Sequence, residues 1–471
     1  MHALSPTDEI FLVLERSTQP MHVAGLFVFE PAPNAGPDFA RTVMARLLSF
    51  DRPNPPYSER VVLTPIGHRF VRDKHFDIAN HVRHAALPSP GGDAELHAWV
   101  AEQHEFMLHR ERPLWEVHLV EGLSGGRIAL YAKVHHAVQD GVSALRCAMR
   151  GLAADPLCTD HPPFWAAVRA NRTARADDGQ QRAPLREVLG AWRRDIGHQL
   201  ASVPTLAKEA TRLVRDATSH LRSHEPADAQ RTPFSGRITS ARRFGSTGFP
   251  LERFERLGKA LGGTVNDAVL AMCSGALRHY LEERGALPTT PLSAMVPVSL
   301  RHGKGEFGNR VATIVASLAT HEGDLATRLG QVLASVREGK ERFAPMTNEE
   351  IVGVTAITLT PSFFGFLTGL GESACAFQVV ISNVPGPKEA LYLDGARMSG
   401  LYPVSIVVDH VALNITFTSY AGNLNFGVIA CRHAIPDMER FIQHFEQALA
   451  ELEGYVAASP GKVQNSLTQG R

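Results

Sequence analysis

The period of the apolar positions changes repeatedly along the chain, and each change predicts an element. Val23 to Phe29 is a nearly continuous apolar run, read as a strand. Pro37 to Phe50 has helical spacing, Val61 to Phe70 is extended, and Ala94 to Leu108 is helical again. Trp115 to Glu121 and Arg127 to His136 are extended runs joined by Gly-Leu-Ser-Gly-Gly, a hairpin signal. Val142 to Ala153 follows as a helix. From about 155 to 243 the pattern differs: Pro, Ala and Arg are frequent and no strand signal occurs. Leu185, Val188, Leu189, Trp192 and Ile196 fall on one helical face there, and Leu206, Leu213, Val214 and Leu221 continue the pattern after Pro204.

Beyond Arg242 the alternation resumes. Leu251 to Ala260 and Asn266 to Arg284 are helical, and Pro436 to Glu453 closes the chain with a third helix. Ser293 to Leu300, Val311 to Leu318, Phe377 to Ile381, Val404 to Val408, Leu413 to Ser419 and Asn425 to Ala430 read as strands. The result is an α/β class with mixed sheets (α+β) in each half, without the strand–helix alternation or glycine-rich βα turn of a Rossmann unit. The expected organisation is an N-terminal domain over 1–154, a helical arginine-rich crossover over 155–243 and a C-terminal domain over 244–471. Ile351 to Gly371 carries no charge, but its Thr-Pro-Ser favours a buried pair of helices over a membrane span.

Composition narrows the function. Lys+Arg and Asp+Glu both number 48, and no basic stripe suited to a phosphate backbone occurs, so nucleic acid is not an expected partner. Five cysteines lack CxxC spacing, which points to a reducing compartment and no zinc site. The first residues carry acids where a secretory signal has a basic start, so a cytoplasmic location is expected. The crossover arginines read as a solvated linker face; the other reading has them meet anionic lipid headgroups at a membrane or lipid-droplet surface.

The chemistry concentrates at Tyr131-Ala-Lys-Val-His-His-Ala-Val-Gln-Asp-Gly-Val142, an HHxxxDG pattern at the end of an apolar run. A neutral imidazole accepts protons near pH 7. In an extended run His135 and His136 face opposite ways, so one base is expected and the other histidine supports it. Asp140 either orients an imidazole or anchors the loop, and Gly141 is expected to permit a tight turn. A metal bound by His135, His136 and Asp140 has poor geometry, so no metal is expected. Asn266 and Asp267 begin a helix, as caps or as part of a cleft. Pro113-Leu114-Trp115 is core packing or an aromatic wall to an acyl path. Ser382 and Asn383 end a strand at a constrained Val-Pro-Gly-Pro turn, where either donates to an oxyanion or the turn only stops the strand. Phe363, Phe364, Phe366 and Leu367 line a lipid chain or fill a core.

Taken in order, Pro113-Leu-Trp-Glu116, His135-His-Ala-Val-Gln-Asp-Gly141, Asn266-Asp267, Pro297-Val-Ser-Leu-Arg301, Gly308-Asn-Arg310 and Ser382-Asn-Val-Pro-Gly-Pro387 resemble the bacterial wax ester synthase/acyl-CoA:diacylglycerol acyltransferase family. The likeness runs from Leu4 to about Glu453. It implies a two-domain fold like chloramphenicol acetyltransferase, other coenzyme A-dependent acyltransferases and peptide-synthesis condensation domains, with a tunnel between the domains. It implies that His136 is the general base and that Asp140 pairs with an arginine, for which Arg301 stands at the right motif position. The implied reaction is direct acyl transfer from acyl-CoA to a long-chain alcohol or a diacylglycerol. Acyl-CoA is then a substrate, and no cofactor is expected. The alternatives are a carrier-protein acyl donor, a covalent acyl group on Ser382, and a non-catalytic protein of lipid surfaces.

Overall fold

The computed structural model describes residues 2–458 except 5, 34, 66, 168–231, 301–309, 344–345, 347–349 and 351–376. The first described elements are β1 (His2–Ala3), α1 (Pro6–Leu14), β2 (His22–Glu30), α2 (Phe39–Ser49), β3 (Glu59–Thr64), β4 (Gly67–Arg72), β5 (Val82–Ala86), α3 (Asp93–Glu105), β6 (Trp115–Glu121), β7 (Ile128–His135) and α4 (Gly141–Met149). The second half supplies β8 (Arg242–Pro250), α5 (Leu251–Ala260), α6 (Val265–Glu283), β9 (Ser293–Leu300), β10 (Arg310–Ser317), α7 (Leu325–Phe343), β11 (Val379–Val384), β12 (Tyr392–Leu393), β13 (Ala396–Val404), β14 (Leu413–Tyr420), β15 (Asn423–Cys431) and α8 (Met438–Ala458).

Two six-stranded mixed sheets form the frame. One has the order β12-β13-β2-β7-β6-β5, the other β10-β9-β11-β14-β15-β8. A small sheet, β1-β4-β3, packs Phe70 and Val61 in one cluster with Leu114 and Ala137. The apolar run of β2 is explained by burial on both faces. Ala24, Leu26 and Val28 join the core shared with the second half, while Val23, Phe27 and Phe29 join the core under α2 and α4. In the second half α6 is the buried centre. Its Gly275 faces Ala448 of α8 so closely that an added Cβ would lie 3.0 Å from the Ala448 methyl.

The halves are interlocked. The sequence places 392–404 in the C-terminal domain, yet β13 pairs antiparallel with β2, from Arg397↔Glu30 to Val404↔Ala24. Where the sheets cross, an added Cβ at Gly427 would overlap the Pro403 carbonyl oxygen. A buried guanidinium seals another crossing: Arg242 donates to the carbonyls of Thr18, Thr239 and Ala241.

Several elements differ from the sequence expectation. Val61 to Phe70 is two strands of a hairpin, because the chain reverses before Gly67, which has φ +102°. The strand expected at Val404–Val408 instead ends at Val404. Strand β8, Arg-Arg-Phe-Gly-Ser-Thr-Gly-Phe-Pro, has no apolar run; nine register pairs with β15 make it a strand. The crossover helices over 185–221, the apolar segment 351–371 and Cys375 lie outside the described residues. Among the described residues no single helix is long and apolar enough to cross a membrane. Helices α5 and α6 pass that test only as a pair bent by 96°, and most of α6 is buried inside the protein.

Candidate active site

Strand β7 runs antiparallel between β2 and β6, with His135 opposite His22. One residue later the His136 N–H still donates to the Met21 carbonyl (2.8 Å), which holds the histidine at the end of the strand. The chain then turns sharply, as the N–H groups of Val138 and Gln139 both donate to the His135 carbonyl (2.9 and 3.2 Å). Asp140 stops the turn by capping α4: Oδ1 accepts from the Ser143 N–H and Oδ2 from the Ser143 hydroxyl, both at 2.8 Å. The HHxxxDG stretch is thus a strand end, a turn and a helix cap in succession.

The two histidines have opposite surroundings. The ring of His136 faces a cavity of about 360 Å³ between the two halves. It stacks on Phe11, with ring centroids 3.9 Å apart. Burial pushes its pKa down to about 4, against the opposing pull of the Asp140 carboxylate. The imidazole is therefore neutral, and able to accept a proton, at neutral pH. His135 is fully buried. Its Nδ1 accepts from the Ala137 N–H (3.0 Å), so the ring proton sits on Nε2, which lies 3.3 Å from Glu15 Oε1. Glu15 also accepts from the Met21 N–H (3.0 Å) and meets Arg110 Nη2 at 2.5 Å. Burial favours the protonated Glu15 carboxyl. His135, the Met21 N–H and Arg110 together outweigh that and hold it below the usual carboxylate range.

The opposite wall comes from the second half. Val380, Ser382 and Val384 of β11 line the cavity, and Asn414 and Thr416 line it from the neighbouring β14. Thr416 Oγ1 donates to Asn414 Oδ1 (2.8 Å), and Asn414 Nδ2 donates to Ser405 Oγ and to the Ile406 carbonyl, both at 3.1 Å. The turn after β11 is set by Gly386, where a Cβ would lie 2.1 Å from the Ser419 carbonyl oxygen.

Against this geometry, the expected site residues separate. His136, Asp140, Gly141 and Ser382 share the cavity, and His135 lies behind it beside Glu15. Asn383 is not among the lining residues, because it alternates away from Ser382 along the strand. Gly141 is not a strained turn. It is the first residue of α4, and the nearest atom to an added Cβ is Val23 Cγ1 at 4.0 Å, so its bareness leaves room in the cavity instead. Asn266 and Asp267 do not line the cavity either. Thr264 is the N-cap of α6, and Asp267 Oδ2 accepts from its N–H (2.7 Å), closing a capping box. Trp115 is core, 1% exposed and packed against Tyr57, Phe164 and Trp165, rather than a wall of the acyl path. Arg301, Phe363, Phe364, Phe366 and Leu367 lie outside the described residues. The sequence reading missed Phe11, Glu15, Arg110, Ser405, Asn414 and Thr416, none of which stands in a recognisable motif.

Comparisons with known proteins agree with this architecture. Residues 4–269 match the wax ester synthase/diacylglycerol acyltransferase catalytic domain, and residues 307–453 match the WS/DGAT C-terminal domain. The chain is 38% identical over 461 residues to the O-acyltransferase WSD of Acinetobacter baylyi, covering 97% of this chain and 98% of that one. It is 40% identical to a probable diacylglycerol O-acyltransferase, tgs2, of Mycobacterium tuberculosis, covering 96% and 99%. The solved structure of a wax ester synthase/diacylglycerol acyltransferase from Marinobacter aquaeolei VT8 superposes with a TM-score of 0.76 at 37% identity, over 97% of this chain and 100% of that one. The first condensation domain of the calcium-dependent antibiotic synthetase shares the fold, with a TM-score of 0.57 at 18% identity over 96% of each chain. The cavity between two interlocked halves, with a neutral histidine at its edge, therefore stands in an enzyme: the chain belongs to the wax ester synthase/diacylglycerol acyltransferase family of O-acyltransferases.

Proposed function

We propose that this enzyme transfers a fatty acyl group from acyl-CoA to the hydroxyl of a long-chain alcohol or a diacylglycerol, with His136 as general base. The observation that carries the proposal is the neutral His136 imidazole on the wall of a cavity built by both halves. The base takes the hydroxyl proton as the oxygen attacks the thioester carbon. The tetrahedral intermediate collapses, the C–S bond breaks, and the imidazolium returns its proton to the coenzyme A thiolate. Both substrates meet in one cavity, so no covalent acyl-enzyme is required. Of Ser382 and Asn383, Ser382 lines the cavity, which supports it as a donor to the developing oxyanion. No step calls on a metal or prosthetic group.

Purified protein supplied with palmitoyl-CoA and, separately, hexadecanol or a diacylglycerol is expected to release thiol in step with ester formation. Thiol release without ester, or neither product, would contradict the proposal. Because the substrates carry long chains, the enzyme is proposed to work at a lipid surface. Phe106 and Met107, adjacent and 55% and 37% exposed, support this. Co-flotation with lipid vesicles tests it, and loss of flotation in the Phe106→Ser, Met107→Ser double variant is the expected result.

A further inference from the structure

We infer that the Ser405 hydroxyl donates a hydrogen bond to the thioester carbonyl oxygen of the acyl donor, and that Asn414 aims it there. This rests on the acyl transfer proposed above. Asn414 is buried at 3% exposure on the cavity wall, where an unmatched amide would be costly. Its orientation follows from its neighbours. The Ile406 carbonyl only accepts, so the atom 3.1 Å from it must be the NH2 nitrogen. The same nitrogen lies 3.1 Å from Ser405 Oγ, so its second hydrogen goes to that oxygen. The amide oxygen is taken by the Thr416 hydroxyl at 2.8 Å. Every polar atom of Asn414 is thus engaged within the protein, and none is offered to a ligand.

The consequence falls on Ser405. Its oxygen already accepts from Asn414, and among the described residues nothing takes its proton. Its backbone is pinned as well, because the Ser405 carbonyl lies 2.9 Å from Nε2 of buried His104. A hydroxyl whose oxygen is held in place, with no acceptor for its proton among the described residues and an otherwise largely apolar cavity before it, calls for an acceptor in the ligand. A thioester carbonyl is purely an acceptor. The attacking alcohol is a poorer match, since its own proton must go to His136. As negative charge builds on the carbonyl oxygen, a donor held in place strengthens its bond without reorganising.

Two unreactive coenzyme A analogues isolate that contact. One replaces the thioester sulfur by CH2 and keeps the carbonyl as a ketone; the other is the thioether, which lacks the carbonyl. Both keep the pantetheine amides. Wild type is expected to bind the ketone at least about tenfold more tightly than the thioether. Ser405→Ala is expected to lose that preference and to lower kcat/KM for acyl-CoA about 10- to 100-fold, mainly through kcat. Ser405→Thr, which keeps the hydroxyl, is expected to restore the preference. Thermal unfolding of each variant reports whether the fold is retained. The inference is overturned if wild type does not discriminate between the analogues, if Ser405→Ala discriminates as wild type does, or if its only defect is a raised KM for the alcohol. Absence of ester formation by wild type would instead overturn the acyl-transfer proposal, so the two failures are distinct.

Discussion

The two walls of the cavity are built on different chemical lines. The first-half wall presents one titratable ring, His136, stacked on Phe11, with Asp140 and Lys133 also lining the cavity, and keeps the Glu15–Arg110–His135 cluster behind the strand end. The second-half wall presents neutral hydroxyls and a buried amide, at Ser382, Ser405, Thr416 and Asn414. Burial on the first wall keeps the imidazole unprotonated and ready to accept. Neutral donors on the second wall can stabilise a negative oxygen without depressing or raising that imidazole as a nearby charge would. On the proposed mechanism the difference gives proton transfer to one half and charge stabilisation to the other, so that neither half alone would form the site.

The largest loss of stability on the first wall is expected from Glu15→Ala. It leaves Arg110 without its counter-charge and the His135 Nε2–H without its carboxylate neighbour, and releases the Met21 N–H, in a place where the carboxylate side chain is fully buried. A stability loss of about 3 kcal/mol is expected in denaturant unfolding, with kcat falling because His136 hangs from the Met21 carbonyl. On the second wall, Ser382→Ala is expected to lower kcat about 10- to 100-fold, while Asn383→Ala, one residue along and off the cavity, should stay within about twofold. Equal losses in the two variants would erase the distinction. Next comes the pH profile. With the His136 pKa near 4, its basic form persists through mildly acidic pH, so the acid limb of kcat/KM should lie well below pH 6.5. Phe11→Ala admits water to the ring and should move that limb upward; an unmoved limb would show that another group sets it. The smallest effect belongs to Asp140→Ala, which removes the cap of α4 at a cost of about 1 kcal/mol and should reduce activity less than tenfold.

What could be read from the sequence follows a physical division. Residues whose role depends on the local chain were legible: the opposite faces of His135 and His136, the hairpin leading to them, and the helices flanking Asp140 and Asp267. The residues that were missed depend on contacts distant in the chain. Glu15 follows a short helix in Val-Leu-Glu-Arg and looks like a surface acid, until the fold brings Arg110 and His135 to it. Asn414 and Thr416 alternate with Leu413, Ile415 and Phe417, a pattern that usually marks a solvated strand face. Here that face is turned to the cavity, and the pattern cannot tell a strand face that lines a cavity from one that meets solvent. β13 reads as part of the second half by position, and only pairing with β2 assigns it to the first sheet.

The proposed mechanism makes one of the two adjacent histidines the base and the other its support. Ester formation by His136→Ala and His135→Ala, each checked for folding by circular dichroism and thermal unfolding, tests it most directly. His136→Ala is expected to stay folded and to lose ester formation by at least about a thousandfold, whereas His135→Ala is expected to lose stability and retain measurable turnover. A folded His136→Ala variant that keeps most of its activity would contradict it.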